Sequence, residues 1–433
     1  MPQSLVGTLA MWATLATGAA HAQETAADAS TGVLTREAAV ATAVQENPGL
    51  DELRQRMQAA AAVPSQVGSL PDPRISVGAV NVPIDTFALD QEPMTQLLVG
   101  ITQPLPYPGK LGLRRQMAES EAAAAVESMQ EAQLRLVRDV RNTWWELFYL
   151  DRAADTVARN RELLGQLVDV ARVKYEVGRG LQQDVLLAQV ELARLHELAI
   201  QIDGLRATTT ARMNALLAQP SETLLVLPAT ASTALPEVPD QAQLEAQAEE
   251  SRAWIAQAQH QLDAASAAQE LARKEYFPEF GLSASYGWRD GRNADGSQRA
   301  DFASVMLSVS VPLFASAKQD QLVAQRRAER AARERALADA RNRVRADIAA
   351  ALADYQRVRE ELMLLDTGIL PQTGQAVASM LAGYQVNKVD FLTLIRTQIT
   401  LYNQEMQRWR VFSEAHQALA MLYAAVGQER FHD

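Results

Sequence analysis

Between Gly109 and Val177 the chain carries no proline and almost no glycine, and its large apolar residues keep a helical period. Leu134, Val137, Trp144 and Phe148, and further on Leu163, Leu167 and Val170, are spaced by three, four and seven within each group. That spacing places them on one stripe of a helix, as in a coiled-coil seam. At about 1.5 Å per residue the stretch predicts a helix of about 100 Å. A second proline-free stretch, Ala317 to Leu370, predicts another long helix. Its Arg326, Arg330, Arg333 and Arg341 read as a solvated face.

Elsewhere the period changes to two. Phe280, Leu282, Ala284, Tyr286 and Trp288 alternate with Gly281, Ser283, Ser285 and Gly287. Val305, Leu307, Val309 and Val311 alternate with Met306, Ser308 and Ser310, and Leu97, Val99 and Ile101 with Gln96, Leu98, Gly100 and Thr102. Ile75, Val77 and Ala79 form the weakest of the four patterns. The predicted strands are residues 73–83, 94–104, 279–289 and 303–313. Each has the length that a tilted strand needs to cross a bilayer, about 9–11 residues. Tyr286 and Trp288 stand where an interfacial aromatic girdle would be, and Arg289–Arg299 is a polar, glycine-rich loop. An ordinary half-buried antiparallel sheet gives the same alternation, so the strands alone do not decide.

The pattern occurs twice, at an offset of about 205–209 residues. Gln103-Pro104-Leu105 lies opposite Val311-Pro312-Leu313, Lys110 opposite Lys318, and Tyr175-Glu176-Val177-Gly178 opposite Tyr384-Gln385-Val386-Asn387. The order is kept throughout, which reads as one duplicated unit. The expected organisation is a signal peptide at 1–22 and a flexible leader at 23–34, followed by a first repeat at 35–218. That repeat holds a strand pair at 73–104 and a helical hairpin at 109–218. A linker at 219–240 follows, where Pro220, Pro228, Pro236 and Pro239 forbid a continuous helix. The second repeat covers 241–427, with a strand pair at 279–313 and a hairpin at 317–427, and 428–433 form a tail. Thr35 is the expected N-cap of the first helix, with Glu37 in its first turn.

Leu5–Ala16 is apolar and Ala20-His21-Ala22 is a small-x-small cleavage site, so the mature chain is expected to start at Gln23. No Lys or Arg precedes the apolar stretch; either the start lies upstream or the signal is atypical. A net charge of −11 argues against nucleic acid as a partner. With no cysteine, disulfides, thiolate nucleophiles and a lipidated N-terminal cysteine are excluded. The five histidines, His21, His196, His260, His416 and His432, are scattered, and no hydrolase, metalloprotease or phosphate-loop motif occurs. An enzyme is not expected, nor any cofactor or metal site. Beyond the signal no apolar run of about 18 or more residues exists, so a membrane-embedded form has to be a closed β-barrel. A soluble periplasmic coiled-coil structural or adaptor protein is the rival reading.

Gln103-Pro104-Leu105-Pro106-Tyr107-Pro108-Gly109-Lys110 resembles the strand-to-helix junction of TolC-family outer-membrane efflux proteins, especially the heavy-metal branch of the CzcC and CusC type. Asn47-Pro48-Gly49-Leu50, Tyr175–Gly178 followed by Asp184-Val185-Leu186, and Tyr384-Gln385-Val386 through Thr400-Leu401-Tyr402-Asn403 resemble that family's early turn and two hairpin tips. The resemblance implies an α+β membrane protein of a Gram-negative outer membrane. Three copies, with four strands each, would form a 12-stranded β-barrel continued by a long periplasmic α-helical barrel. It implies a passive duct, working with a periplasmic adaptor and an inner-membrane pump of the RND type, with metal cations as cargo. Drug, solvent or type I protein export is the alternative cargo. The implied adaptor-docking tips are Gly178, Arg179, Gly180 and Leu181, with Asn387, Lys388 and Val389. The implied gate is an Asp184–Tyr384 hydrogen bond, with Lys388, Asp390 and Arg396 as further candidates. The chain departs from the family pattern at Asn387, where glycine is usual, and at Thr393 and Arg396, where relatives carry acids.

Overall fold

The computed structural model describes residues 32–232 and 235–428. The expected signal peptide, nearly all of the leader and the last five tail residues lie outside the described residues. The elements are α1 (Arg36–Glu46), α2 (Pro48–Gly68), β1 (Arg74–Val80), β2 (Gln96–Leu105), α3 (Lys110–Glu176) and α4 (Gln182–Leu216). After the linker come α5 (Gln241–Ser251), α6 (Ala253–Lys274), β3 (Glu279–Trp288), β4 (Phe302–Ser310) and α7 (Gln319–Leu364). A π-helical turn (Leu365–Ile369), α8 (Leu370–Gln385) and α9 (Phe391–Val426) complete the chain. The order helix pair, strand pair, long helix, helix thus occurs twice. Two compact units are present: one from residues up to Asp51, Glu131–Arg252 and Arg343 onward, the other from Glu52–Gln130 and Ala253–Asn342.

The strand unit contains one antiparallel sheet in the order β1-β2-β3-β4. Its register aligns the alternation of all four strands. Val305 pairs with Ala284, Ala284 with Ile101 and Ile101 with Ile75; the next row outward is Ala303, Tyr286, Val99 and Val77. One face is therefore apolar from edge to edge. The opposite face carries Ser304, Ser285, Gly100 and Ser76 in register. The apolar face is uncovered: Ile75, Val77 and Val305 are each more than 70% exposed. Among the described residues no strand lies beside the outer edges of β1 and β4.

All four strands are shorter than their patterns predicted, β3 by one residue. β1 stops at Val80 because Asn81 takes a left-handed φ of 55° and Pro83 cannot donate to a ladder. β2 starts at Gln96, since the Thr95 hydroxyl bonds back to the Asn81 carbonyl at 2.7 Å. β4 ends at Ser310, two residues before Pro312. Pro104 is tolerated inside β2 because β1 pairing has already ended at Arg74–Thr102. Below the sheet, Lys110 is fully buried and donates to Glu275 at 2.8 Å and Glu279 at 2.9 Å. Tyr107 stacks on Phe277 at 4.4 Å, fixing the turn from β2 into α3.

The helical unit is centred on Trp144, Trp145, Phe148, Tyr355 and Phe412. Thr35 caps α1 through Ala38 N, as expected. Toward the tips the buried stripe of α3 is Leu164, Leu167 and Ala171, whereas Leu163 and Val170 are 37% and 44% exposed. Two expected stripe positions are thus displaced. A 3.6-residue helix drifts from a strict heptad, so over several turns a neighbouring row becomes the seam. The second long helix also differs: it does not end at Leu370. A single π turn lets it pass Pro371, which has no N–H for the Thr367 carbonyl, and it continues to Gln385. Asp366 in that turn is held by Arg408 of α9 at 2.8 Å.

The linker is pinned rather than loose. Arg152 donates to the Ala229 carbonyl at 2.7 Å, Arg206 to Leu225 at 3.1 Å, and the Tyr355 hydroxyl to Pro236 at 2.6 Å. Asn214 donates to the Ser221 and Thr223 carbonyls. Arg252 and Glu131 form an ion pair at 2.9 Å with both side chains more than 90% buried.

His416 stacks on Trp145 at a centroid distance of 3.9 Å. Burial, with Arg36 adding to it, pushes its pKa down to about 3, while a hydrogen bond with the Ser232 backbone acts in the opposite sense. The folded value is below the unfolded one, so this stability is complete above about pH 6.5 and is lost as pH falls toward 3. Between pH 7.5 and pH 5 the loss is expected to be about 2 kcal/mol, at about 1.4 kcal/mol per pH unit. His416→Gln is expected to lose less over that range. Urea midpoints at the two pH values test this, and an equal fall in both proteins would remove His416 as the source.

Candidate functional site

The two hairpin tips lie in the helical unit and are built alike. At the first, Gly178 takes φ +72°, its N–H bonds to the Tyr175 carbonyl at 2.9 Å, and Arg179 N bonds to the Lys174 carbonyl at 2.8 Å. At the second, Asn387 takes φ +59°, its N–H bonds to Tyr384 O at 3.1 Å, and Lys388 N bonds to Gly383 O at 2.8 Å. Both are Schellman caps, which satisfy the last carbonyls of a helix through a left-handed residue. Asparagine tolerates that conformation, which explains how Asn387 replaces glycine. Gly178, Arg179, Leu181, Asn387 and Lys388 are exposed, and Gly180 and Val389 are half-buried.

The other predicted gate residues separate. Asp390 caps α9: its carboxylate accepts from Thr393 N at 2.8 Å and from the Thr393 hydroxyl at 2.9 Å, bonds that hold its pKa below the usual range. Arg396 is exposed beside a shallow groove with Gln372, Thr373 and Thr400. Asp184 is half-buried, in the first turn of α4. Tyr384 is only 6% exposed, packed on Phe391 and the Leu164–Leu394 cluster. Burial raises its phenol pKa, and the nearby Asp184 carboxylate raises it further. Within one chain no hydrogen bond joins the two.

The tie between the hairpins is made instead by Lys174, which the sequence reading missed. From α3 its ammonium donates to the Tyr384 carbonyl at 2.9 Å and to Asn387 Oδ1 at 3.0 Å. It also sits 3.8 Å from the centroid of the Tyr384 ring. Those partners are 210 and 213 positions away, beyond the reach of local pattern.

The sequence matches the model of the outer membrane efflux protein family over residues 39–219 and 244–428. The chain belongs to that family. Outer membrane efflux proteins are transport ducts rather than enzymes, and the protein is an outer-membrane efflux channel. A comparison with curated protein sequences finds no match. Among solved structures, the fold is similar to the outer-membrane channel OprN at 21% identity and TM-score 0.74, covering 90% of this chain and 89% of that one. It is similar to CusC at 16% identity and TM-score 0.77, over 91% and 92% of the two chains. The open state of the Neisseria gonorrhoeae MtrE outer membrane channel matches at 16% identity and TM-score 0.77, over 91% and 89%. Among the described residues no helix is long and apolar enough to cross a membrane.

Proposed function

We propose that three copies of this duplicated chain assemble into a passive efflux duct. The observation that carries this reading is the four-stranded sheet, apolar and uncovered on one face and unpaired at both edges. Lipid cannot satisfy free strand edges, and four strands cannot close on themselves. Three sheets joined edge to edge give twelve strands, with the serine-rich face toward a water-filled lumen and the apolar face toward lipid. The long helices continue the duct into the periplasm, where the exposed tips at Gly178–Leu181 and Asn387–Val389 dock a periplasmic adaptor. An inner-membrane pump of the RND type supplies the cargo. Metal cations are the favoured cargo, because Gln103–Lys110 resembles the heavy-metal branch. Asp184 and Tyr384 gate the mouth, their contacts being exchanged for contacts with the adaptor as it opens.

Native mass measurement in detergent is expected to give a trimer, and planar bilayers should show stable channels of low conductance. Asp184→Ala combined with Tyr384→Phe is expected to raise that conductance. A monomer without channel activity would overturn the duct; a parent-like double variant would move the gate elsewhere.

A further inference from the structure

We propose that Lys174 is the positioning residue that holds the tunnel mouth narrow, acting through the tip of the second hairpin; this rests on the duct reading above. Its side chain leaves the last turn of α3 and crosses to the end of α8. There it meets a backbone carbonyl, a side-chain carbonyl and an aromatic face at once. The two oxygens accept from its N–H groups, and the ring face favours its charge. The Tyr384 carbonyl is among the last of α8, where the helix dipole is negative and lysine is the favoured partner. The Tyr384 ring offers its negative face, and a partly desolvated cation over such a face is held more strongly than an exposed one. Asn387 is held left-handed by its cap, which keeps its Oδ1 presented to the ammonium.

The position matters because Lys174 adds a polar tie beyond the apolar cluster, from Leu164 to Leu394, that already packs the two hairpins together. Lys388 and Val386 are exposed, and Leu181 caps α4 without a side-chain hydrogen bond. Lys174 therefore couples the backbone of the second tip to the first hairpin. Tyr384 is buried in the same contact, with Asp184 close enough to raise its phenol pKa. Releasing the ammonium frees the end of α8 and, with it, the ring expected to latch the mouth. Opening then consists of exchanging one set of polar partners for another between two arrangements of rigid helices.

The test is single-channel conductance of the purified full-length protein in planar bilayers. Lys174→Met keeps length and apolar bulk and deletes the charge; it is expected to raise conductance at least about twofold, since the charged contact is the stronger kind. Lys174→Arg retains the cation and is expected to conduct like the parent. Asn387→Gly keeps the left-handed turn and deletes one acceptor; a smaller rise is expected, with no further increase when it is combined with Lys174→Met. If Lys174→Met does not assemble, Asn387→Gly decides alone: a rise supports the clasp and parent-like conductance overturns it. An arginine variant as leaky as the methionine one overturns the role of charge, and additive effects overturn the shared contact. A parent-like Lys174→Met beside a raised Asp184→Ala/Tyr384→Phe overturns the clasp and leaves the gate; parent-like conductance in both overturns the gate as well.

Discussion

Replacing Arg252 with Met is expected to lower the unfolding free energy by about 3–5 kcal/mol, the range for breaking a buried ion pair by removing one partner. Arg252 and Glu131 are 8% and 6% exposed, so little water can replace either one. Burial already lowers the pKa of Arg252, while Glu131 acts to raise it. The guanidinium also donates to the Ala424 carbonyl, near the end of α9. Removing it leaves that carbonyl with Gly427 N as its remaining donor, and leaves the Glu131 carboxylate with Arg135, a half-exposed partner at 2.8 Å. Glu131 Oε2 and Arg252 Nε are both already without a hydrogen bond. Adding Glu131→Gln to Arg252→Met should recover part of the loss, because the residual cost is that of an uncompensated charge. Urea unfolding monitored by helical ellipticity measures both. A loss under about 1 kcal/mol for the single variant would mean that water reaches the pair.

Leu307→Arg is expected to cost about 2–4 kcal/mol in lipid, the range for a cation at mid-depth on the outside of a barrel, and Ser308→Arg much less. The two residues are neighbours on β4, but the register separates them. Leu307 pairs with Leu282, which pairs with Gln103, within the apolar face; Ser308 pairs with Gly281, which pairs with Pro104. Leu307 is 64% exposed in the single chain, so in water its replacement removes little packing. A difference between the two variants therefore reports lipid on one side. Refolding into phosphatidylcholine vesicles over a urea series gives the comparison. Equal tolerance would mean the sheet lacks a lipid face.

Much of this architecture is legible in the residues because it is periodic. Alternation in β3 and β4 and the proline-free run behind α3 are local signals, and the structure reproduces them within a few residues. Strand ends were misplaced where single residues intervene, as with Asn81 and Pro312. The seam toward the tips was misassigned by one position because Leu163 and Leu164 are chemically alike, and only the partner helix chooses between them. The π turn was invisible because nothing local distinguishes a proline that ends a helix from one that is accommodated. Lys174 and Arg252 were missed for a common reason. Each is an ordinary cation on a helical stretch until its partners, more than a hundred positions away, are brought beside it.

The polar contacts that pin the linker at 219–240 run through its main chain, while Leu225 and Leu227 bury their side chains in the core. Arg152, Arg206, Asn214 and Tyr355 donate to the carbonyls of Ala229, Leu225, Ser221, Thr223 and Pro236, groups that every amino acid supplies. Tolerance to substitution should therefore be lopsided. Residues such as Ser221, Thr223 and Ala229 can be exchanged freely while their carbonyls stay in place. The four donors, set in regular helices that look unremarkable by themselves, cannot. A mutational scan of this region would mark the helix donors as fragile and, away from the buried Leu225 and Leu227, the irregular strap as permissive, the reverse of what their secondary structure suggests.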